Sequence, residues 1–258
     1  MKKTIRKIRR AQKRKSLKRN HKRKYKGGAN HPLTLYSANF SRIRVGKIND
    51  GGYVMYNIPN IKYNLLLSGG ISDDTSFEDD FLNKFPNVEC YGFDGTVDKA
   101  PSTNSRFHFI KKNIGSTNTD TLTNLHEYLE KYSNIFVKMD IEGGEFEWLN
   151  SLTTSHMNNI AQMVIEFHNL TKQQLSIFEN INKTHTLVNF HGNNCCGLQD
   201  KSNFDFDIPK VFECLYINNK YLTLPLELNK LTIPLPLDSA NLSNQADITI
   251  NTAPFVNK

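Results

Sequence analysis

From about residue 33 onward, short apolar runs alternate with stretches in which apolar residues recur every three or four positions. The run at 63–68 ends in Gly69-Gly70, as a buried strand should. Ser72, Asp73 and Asp74 then offer N-cap oxygens, and Phe77, Phe81, Leu82 and Phe85 share one face of a helix. Further strands are expected at 88–94, 106–115, 134–140, 163–168, 185–191 and 210–218. Leu122, Leu125, Leu129 and Tyr132 predict one intervening helix, and Leu175, Phe178 and Ile181 another. Strand–helix alternation of this kind argues for an α/β fold with a mostly parallel sheet and helices on both faces. Residues 223–258, with Pro225, Pro234, Pro236 and Pro254, read as an extended segment packed on that body.

Charge divides the chain differently. Of 33 Lys+Arg and 25 Asp+Glu, 15 basic residues and no acid fall in residues 1–28. The remainder is net acidic, so the formal +8 describes neither part. The leader has few apolar anchors and strong self-repulsion, and it is expected to be disordered. It could serve as a nuclear import signal, bind a polyanion in a salt-sensitive way, or sit on an anionic surface. Its Lys/Arg-rich composition, ending in Lys24-Tyr25-Lys26-Gly27-Gly28, resembles leaders on proteins of large DNA viruses. No apolar run approaches the roughly 18–20 residues of a membrane span, and no apolar core follows the basic start as a secretory signal requires. Cys90, Cys195, Cys196 and Cys214 lack the paired spacing of a zinc site, and they read as inert thiols of a reducing compartment. The expected setting is therefore intracellular: cytoplasmic, nuclear or virion-associated.

In an open parallel sheet, ligands sit beyond the carboxyl ends of the strands. The residues expected there are Gly69 and Gly70, Asp94, Asn113 and Gly115, Asp140 and Glu142, Glu166 and His168, and His191. A Gly-rich turn after the first strand, followed by an acid ending the second, suits an adenosine-containing cofactor. The turn is not Gly-x-Gly-x-x-Gly, and Asp73, Asp74 and Glu78 beside it would repel a diphosphate. S-adenosylmethionine, with a sulfonium and an ammonium, fits this acidic neighbourhood better.

Four blocks carry a more specific signal: RVGKINDGGYVM (44–55), SGGISDDTSFE (68–78) with YGFDGT (91–96), FVKMDIEGGEFEWL (136–149), and VNFHGNN (188–194) before KVFECLYIN. Together they resemble the FkbM-like family of S-adenosylmethionine-dependent methyltransferases. The resemblance implies a seven-stranded Rossmann-like methyltransferase domain over 29–222 and O-methyl transfer onto a glycan or small hydroxylated acceptor. By position it implies that Gly69, Gly70 and Ser72 contact the methionine part of the cofactor. Asp94 would take the ribose hydroxyls, and Asn113 to Gly115 would lie at the adenine edge. The chain departs from the family at Gly69, where many relatives have an aromatic residue.

Methyl transfer to a hydroxyl needs in-line alignment and removal of a proton. Asp140 and His168 end adjacent strands, and His191 could reach the same mouth. A histidine would serve as base with Asp140 orienting it. Alternatively Asp140, Glu166, His168 and His191 could hold a divalent metal. Glu142 and Glu145 read as first-turn helix carboxylates that complement the dipole. Asp50-Gly51-Gly52-Tyr53 reads as a hairpin turn or a cofactor lid. Two other functions compete. One is a ribose 2′-O-methyltransferase of nucleic acid, with Lys138, Asp140 and Glu166 as part of its proton-removing set. The other is a non-catalytic methyltransferase fold that tethers a partner.

Overall fold

The computed structural model describes residues 31–258. The basic leader, and every reading made of it, lies outside the described residues.

Seven strands form the central sheet: β1 (Leu65–Gly69), β2 (Glu89–Phe93), β3 (Phe107–Ile110), β4 (Ile135–Met139), β5 (Ile160–His168), β6 (His185–Gly192) and β7 (Val211–Asn218). Their spatial order is β3-β2-β1-β4-β5-β7-β6. Neighbours run parallel from β3 to β5, while β7 is antiparallel to both β5 and β6. The last strand in sequence thus inserts between the two before it.

Alternation along the strands sends successive residues to opposite faces. Leu65 and Leu67 of β1 join one apolar cluster, with Val137, Met139 and Ile165 of its neighbours. That face is covered by α2 (His126–Lys131), α3 (Glu145–Ser151), α4 (Thr154–Asn159) and α5 (Leu175–Ile181), through Leu129, Phe146, Trp148, Met157 and Phe178. Leu66 joins the other cluster with Phe136, Val164 and Leu215. This second face is covered by α1 (Ser76–Lys84), through Phe77, Phe81 and Leu82, and by an antiparallel hairpin of Ser41–Val45 and Tyr53–Asn57. Gln162 in β5 pins the hairpin to the sheet: its Oε1 accepts from Tyr56 N at 3.1 Å, and its Nε2 donates to Tyr56 O at 2.8 Å. The turn of this hairpin is also tied to α1, by a Lys47–Asp74 ion pair and by Ser76 Oγ donating to Gly51 O.

Three expectations need correction. The helical pattern beginning at Leu122 does not form one helix: Leu122–Thr123 pairs with Asn113–Ile114 as a short strand. Leu125 then takes φ +60°, a left-handed conformation that stops α2 from extending backwards. For the same reason the apolar run at 106–115 is split, with β3 ending at Ile110 and the second piece pairing elsewhere. Finally, Cys195 and Cys196 are bonded to each other in a loop, whereas Cys90 and Cys214 are free and buried. Spacing rules look for cysteines that close a loop, and adjacent residues escape them.

Residues 223–258 hold no helix and one two-residue strand, Glu227–Leu228, the rest being bends, turns and irregular chain, and they return to the carboxyl ends of the strands. Asn189 donates to Asp238, Asn194 donates to the carbonyls of Leu242 and Gln245, and Asn49 of the hairpin turn donates to Ala240 O. Among the described residues no helix is long and apolar enough to cross a membrane.

Candidate active site

The loop leaving β1 is shaped by Gly70. Its φ of +76° lies in the left-handed region, and a Cβ there would overlap the carbonyl oxygen of Asp140. Only glycine satisfies both conditions. Gly69 is less strictly confined: a Cβ there would meet Ile114 Cδ1 and Met139 Sδ, side-chain ends that would have to move aside. Ser72, exposed and at φ +49°, continues the loop.

Asp94, just past β2, holds this loop. Its Oδ2 accepts from Ser72 N at 2.8 Å and Ile71 N at 3.1 Å, and its Oδ1 accepts from Thr96 N at 2.7 Å and Thr96 Oγ1 at 2.6 Å. Burial alone would raise its pKa. The hydrogen bonds from Thr96, Ser72 and Ile71 outweigh that and hold it below the ordinary value, so it is a fixed anion. Asn113 sits alongside, with its Oδ1 accepting from Gly95 N at 3.0 Å, and Gly115 N donates to Thr123 O. Gly69, Gly70, Ser72, Asp94, Asn113 and Gly115 therefore lie along one edge of the sheet, around the loops after β1, β2 and β3.

Lys138 supports the same loop from beneath. It is 6% exposed, and its Nζ donates to Gly70 O at 2.6 Å. The ammonium lies 5.7 Å from the Tyr53 ring centre and is the charge that counters buried Glu78, which bonds Ser68 Oγ. Lys138 is thus engaged by the loop.

Asp140, Glu166 and His168 come together at the ends of β4 and β5. One ligand-type atom from each lies within 4.8 Å of the others. Tyr53 OH, from the hairpin, donates to Asp140 Oδ2 at 3.2 Å, and Asn193 Nδ2 donates to Glu166 Oε1 at 3.2 Å. His168 Nδ1 lies 3.0 Å from Glu145 Oε1. Glu145 is fully buried and its Oε1 also accepts from Ile141 N and Gly143 N, so it shapes the Asp140–Gly144 turn as well. Burial raises the Asp140 pKa, with Lys138 and His168 acting against it. Burial together with Asp140 and Glu213 pushes Glu166 well above the ordinary range. Burial lowers the His168 pKa, but Glu145, Asp140 and Glu142 more than reverse this.

His191 stands apart from this trio. Across the sheet Glu166 faces Glu213, and Glu213 faces His191. Two strand spacings, about 10 Å, thus separate His191 from Glu166. Its Nε2 lies 3.0 Å from Asp247 Oδ2, and its Nδ1 lies 3.6 Å from Glu213 Oε2. Burial works against its charged form, but the two carboxylates win and raise its pKa to about 11. Sequence reasoning gave no role to Glu145 beyond the helix dipole and did not single out Glu213, Asp247 or Asn193. A carboxylate two residues past the DIEG run was visible, but its partner was not.

An open α/β sheet in this strand order, with a glycine loop, a fixed acid after β2 and a carboxylate–histidine group at the same edge, is the framework of a methyl-transfer domain. The sequence matches the Methyltransferase FkbM domain over residues 27–193, well over half its length, and the chain belongs to that family. No curated protein matches it. Solved structures with similarity include the fibrillarin/Nop5p complex, at 7% identity over 61% of this chain and 74% of that one, with a TM-score of 0.35. MycE methyltransferase of the mycinamycin biosynthetic pathway, in complex with Mg and SAH, is 14% identical over 64% and 44%, with a TM-score of 0.34. A predicted O-methyltransferase from Agrobacterium tumefaciens is 6% identical over 63% and 77%, with a TM-score of 0.33. These likenesses are remote, and the family assignment rests on the sequence match.

Proposed function

We propose that the protein is an S-adenosylmethionine-dependent O-methyltransferase acting on a glycan or small hydroxylated acceptor. The observation that carries this reading is the direct junction of two half-sites. Asp140 N donates to Gly69 O at 3.1 Å, and Gly70 is packed on the Asp140 carbonyl. A cofactor lying on the Gly70–Ser72 loop therefore ends beside the Asp140, Glu166 and His168 group.

The residues fit the cofactor chemically. The cramped Gly70 turn brings backbone close to a ligand without a side chain between them. Asp94, charged and immobile, offers carboxylate oxygens to ribose hydroxyls in place of the Thr96 hydroxyl. Asn113 to Gly115 would border the adenine. When bound, the cofactor supplies a methyl group already activated by a sulfonium, and the carboxylates at this edge favour that positive centre. The chain must then align an acceptor oxygen and let its proton go. Asp140, Glu166 and His168 ring the position where that happens, with Tyr53, Asn193 and Glu145 fixing their orientations. Engagement of Lys138 by the Gly70 carbonyl weighs against the ribose 2′-O alternative, which needs that ammonium at the acceptor.

Calorimetry of the full chain with S-adenosylmethionine tests the reading. Saturable binding is expected, weakened at least about tenfold by Asp94→Ala, and labelled methyl should pass to an alcohol in a screen of glycans, small alcohols and RNA. A wild-type chain that binds no cofactor would sink the proposal. Label appearing only in RNA would move it to the nucleic-acid alternative.

A further inference from the structure

Asp140 Oδ1, Glu145 Oε2 and Glu166 Oε2 are cut off from solvent and have no hydrogen-bond partner. All three belong to side chains that converge on His168. We infer that Asp140, Glu166 and His168 hold a divalent cation at the mouth where the acceptor hydroxyl reacts. The inference rests on the methyl-transfer reading of this site and adds the means by which the hydroxyl is activated.

The geometry is that of ligands around an ion. His168 Nε2 lies 3.6 Å from Glu166 Oε1 and 3.9 Å from Asp140 Oδ1. Both separations are too long for hydrogen bonds. Ligands each about 2.1–2.2 Å from one ion lie about 3–4 Å from one another, and these two pairs do. The protein fixes the other atoms: Tyr53 occupies Asp140 Oδ2 and Glu145 occupies His168 Nδ1. Asn193 orients Glu166 by donating to Oε1, which keeps a second lone pair, and leaves Oε2 unpartnered. A carboxylate on the far nitrogen of a histidine is how metal-ligating imidazoles are oriented, leaving Nε2 for the ion.

Charge points the same way. Glu166 is 4% exposed, and burying a carboxylate is costly unless a counter-charge stands close by. Glu142 Oε2 adds a further negative charge 3.5 Å from His168 Nε2, and Glu213 stands across the strand from Glu166. Of the neighbouring buried cations, Lys138 acts on Asp140 but is hydrogen-bonded to Gly70 O, and His191 lies between Glu213 and Asp247. His191 is therefore no ligand, and the set has three members rather than four. Two carboxylates and one imidazole suit Mg²⁺ or Mn²⁺ better than a thiolate-seeking metal. Three protein ligands leave room for the acceptor hydroxyl. Beside the cation its acidity rises. The O–H proton passes to water, the oxygen–methyl bond forms as the methyl–sulfur bond breaks, and the sulfonium leaves as a neutral thioether.

The test titrates the metal-stripped full chain with Mn²⁺, following free Mn²⁺ by electron paramagnetic resonance. One saturable site per chain is expected, displaced by Mg²⁺. Glu166→Gln and Glu145→Gln should each weaken binding at least about tenfold, whereas Glu227→Gln should leave it unchanged. Melting temperature, read on the same samples, should rise with Mn²⁺ in the wild type but not in Glu166→Gln. Asp140→Asn gives the same readout should Glu166→Gln fail to fold. Absence of saturable binding at millimolar Mn²⁺, or binding that Glu166→Gln and Asp140→Asn leave intact, overturns the inference. If S-adenosylmethionine still binds and methyl transfer survives a chelator, the cation alone is excluded. If the cofactor does not bind either, the underlying reading falls with it.

Discussion

Glu145, the first residue of α3, is fully buried, and its Oε1 lies 3.0 Å from His168 Nδ1 at the end of β5. This contact joins the turn after β4 to the neighbouring strand, and it decides which nitrogen of His168 faces the mouth. A residue that looks like an ordinary first-turn helix carboxylate therefore positions a site residue two elements away.

Replacing Glu145 separates its two tasks. Glu145→Gln retains an oxygen for the amides of Ile141 and Gly143 but loses the charge beside His168. We expect kcat to fall about 10- to 100-fold with cofactor affinity little changed. Glu145→Ala also orphans two backbone donors and should cost a further ~1–3 kcal/mol of stability, read by urea denaturation. Equal loss of stability in both variants would contradict this division.

The Gly70 turn predicts a contrast between two glycines. Gly70→Ala is strained by its φ of +76° and also collides with the Asp140 carbonyl, so it should destabilise by more than about 2 kcal/mol and abolish cofactor binding. Gly143, at φ +106°, has open space where a Cβ would stand. Gly143→Ala should therefore cost backbone strain alone and melt higher than Gly70→Ala in a thermal scan.

His191 ties pH to stability rather than to chemistry. Unfolded, it loses its proton near pH 6.5, but between Glu213 and Asp247 it keeps it to about pH 11. Its contribution is therefore complete below about pH 6.5 and is lost as pH rises through about 11. His191→Gln leaves the two carboxylates uncompensated and should cost about 3–5 kcal/mol near neutrality. The variant should also lack this alkaline loss, as chemical denaturation at several pH values would reveal. An unaltered pH–stability curve would refute the clamp.

Lys138 and Glu78 should behave as a coupled pair. Lys138→Met strips the counter-charge from buried Glu78 and the cap from the Gly70 carbonyl, so both stability and cofactor affinity should drop. Adding Glu78→Gln should restore much of the stability but not the affinity, because the carbonyl remains uncapped. A double-mutant cycle with additive effects would rule out the coupling.

Much of this framework could be read from the chain. The seven strands, the glycine turn, Asp94 and the carboxylates ending β4 and β5 all follow from local pattern, because alternation and strand-end position are properties of consecutive residues. The packing at Gly69 is visible only in space: the ends of the Ile114 and Met139 side chains stand where a Cβ would be. The helix expected from Leu122 failed for a local reason, a left-handed Leu125, that periodicity cannot register.

The sequence by itself determined which residues stand at the carboxyl ends of the strands and, through the FkbM-type blocks, which family the chain belongs to. Tertiary structure decided which of those residues act together. Although β6 precedes β7 in the chain, β7 inserts antiparallel beside β5, so Glu213 stands between Glu166 and His191. That order removes His191 from the mouth and pairs it with Asp247 from the returning C-terminal segment. It leaves His168 with Asp140, Glu145 and Glu166. Buried charge seeks its nearest counter-charge, and strand order, the start of α3 and the returning C-terminal segment together set which one is nearest.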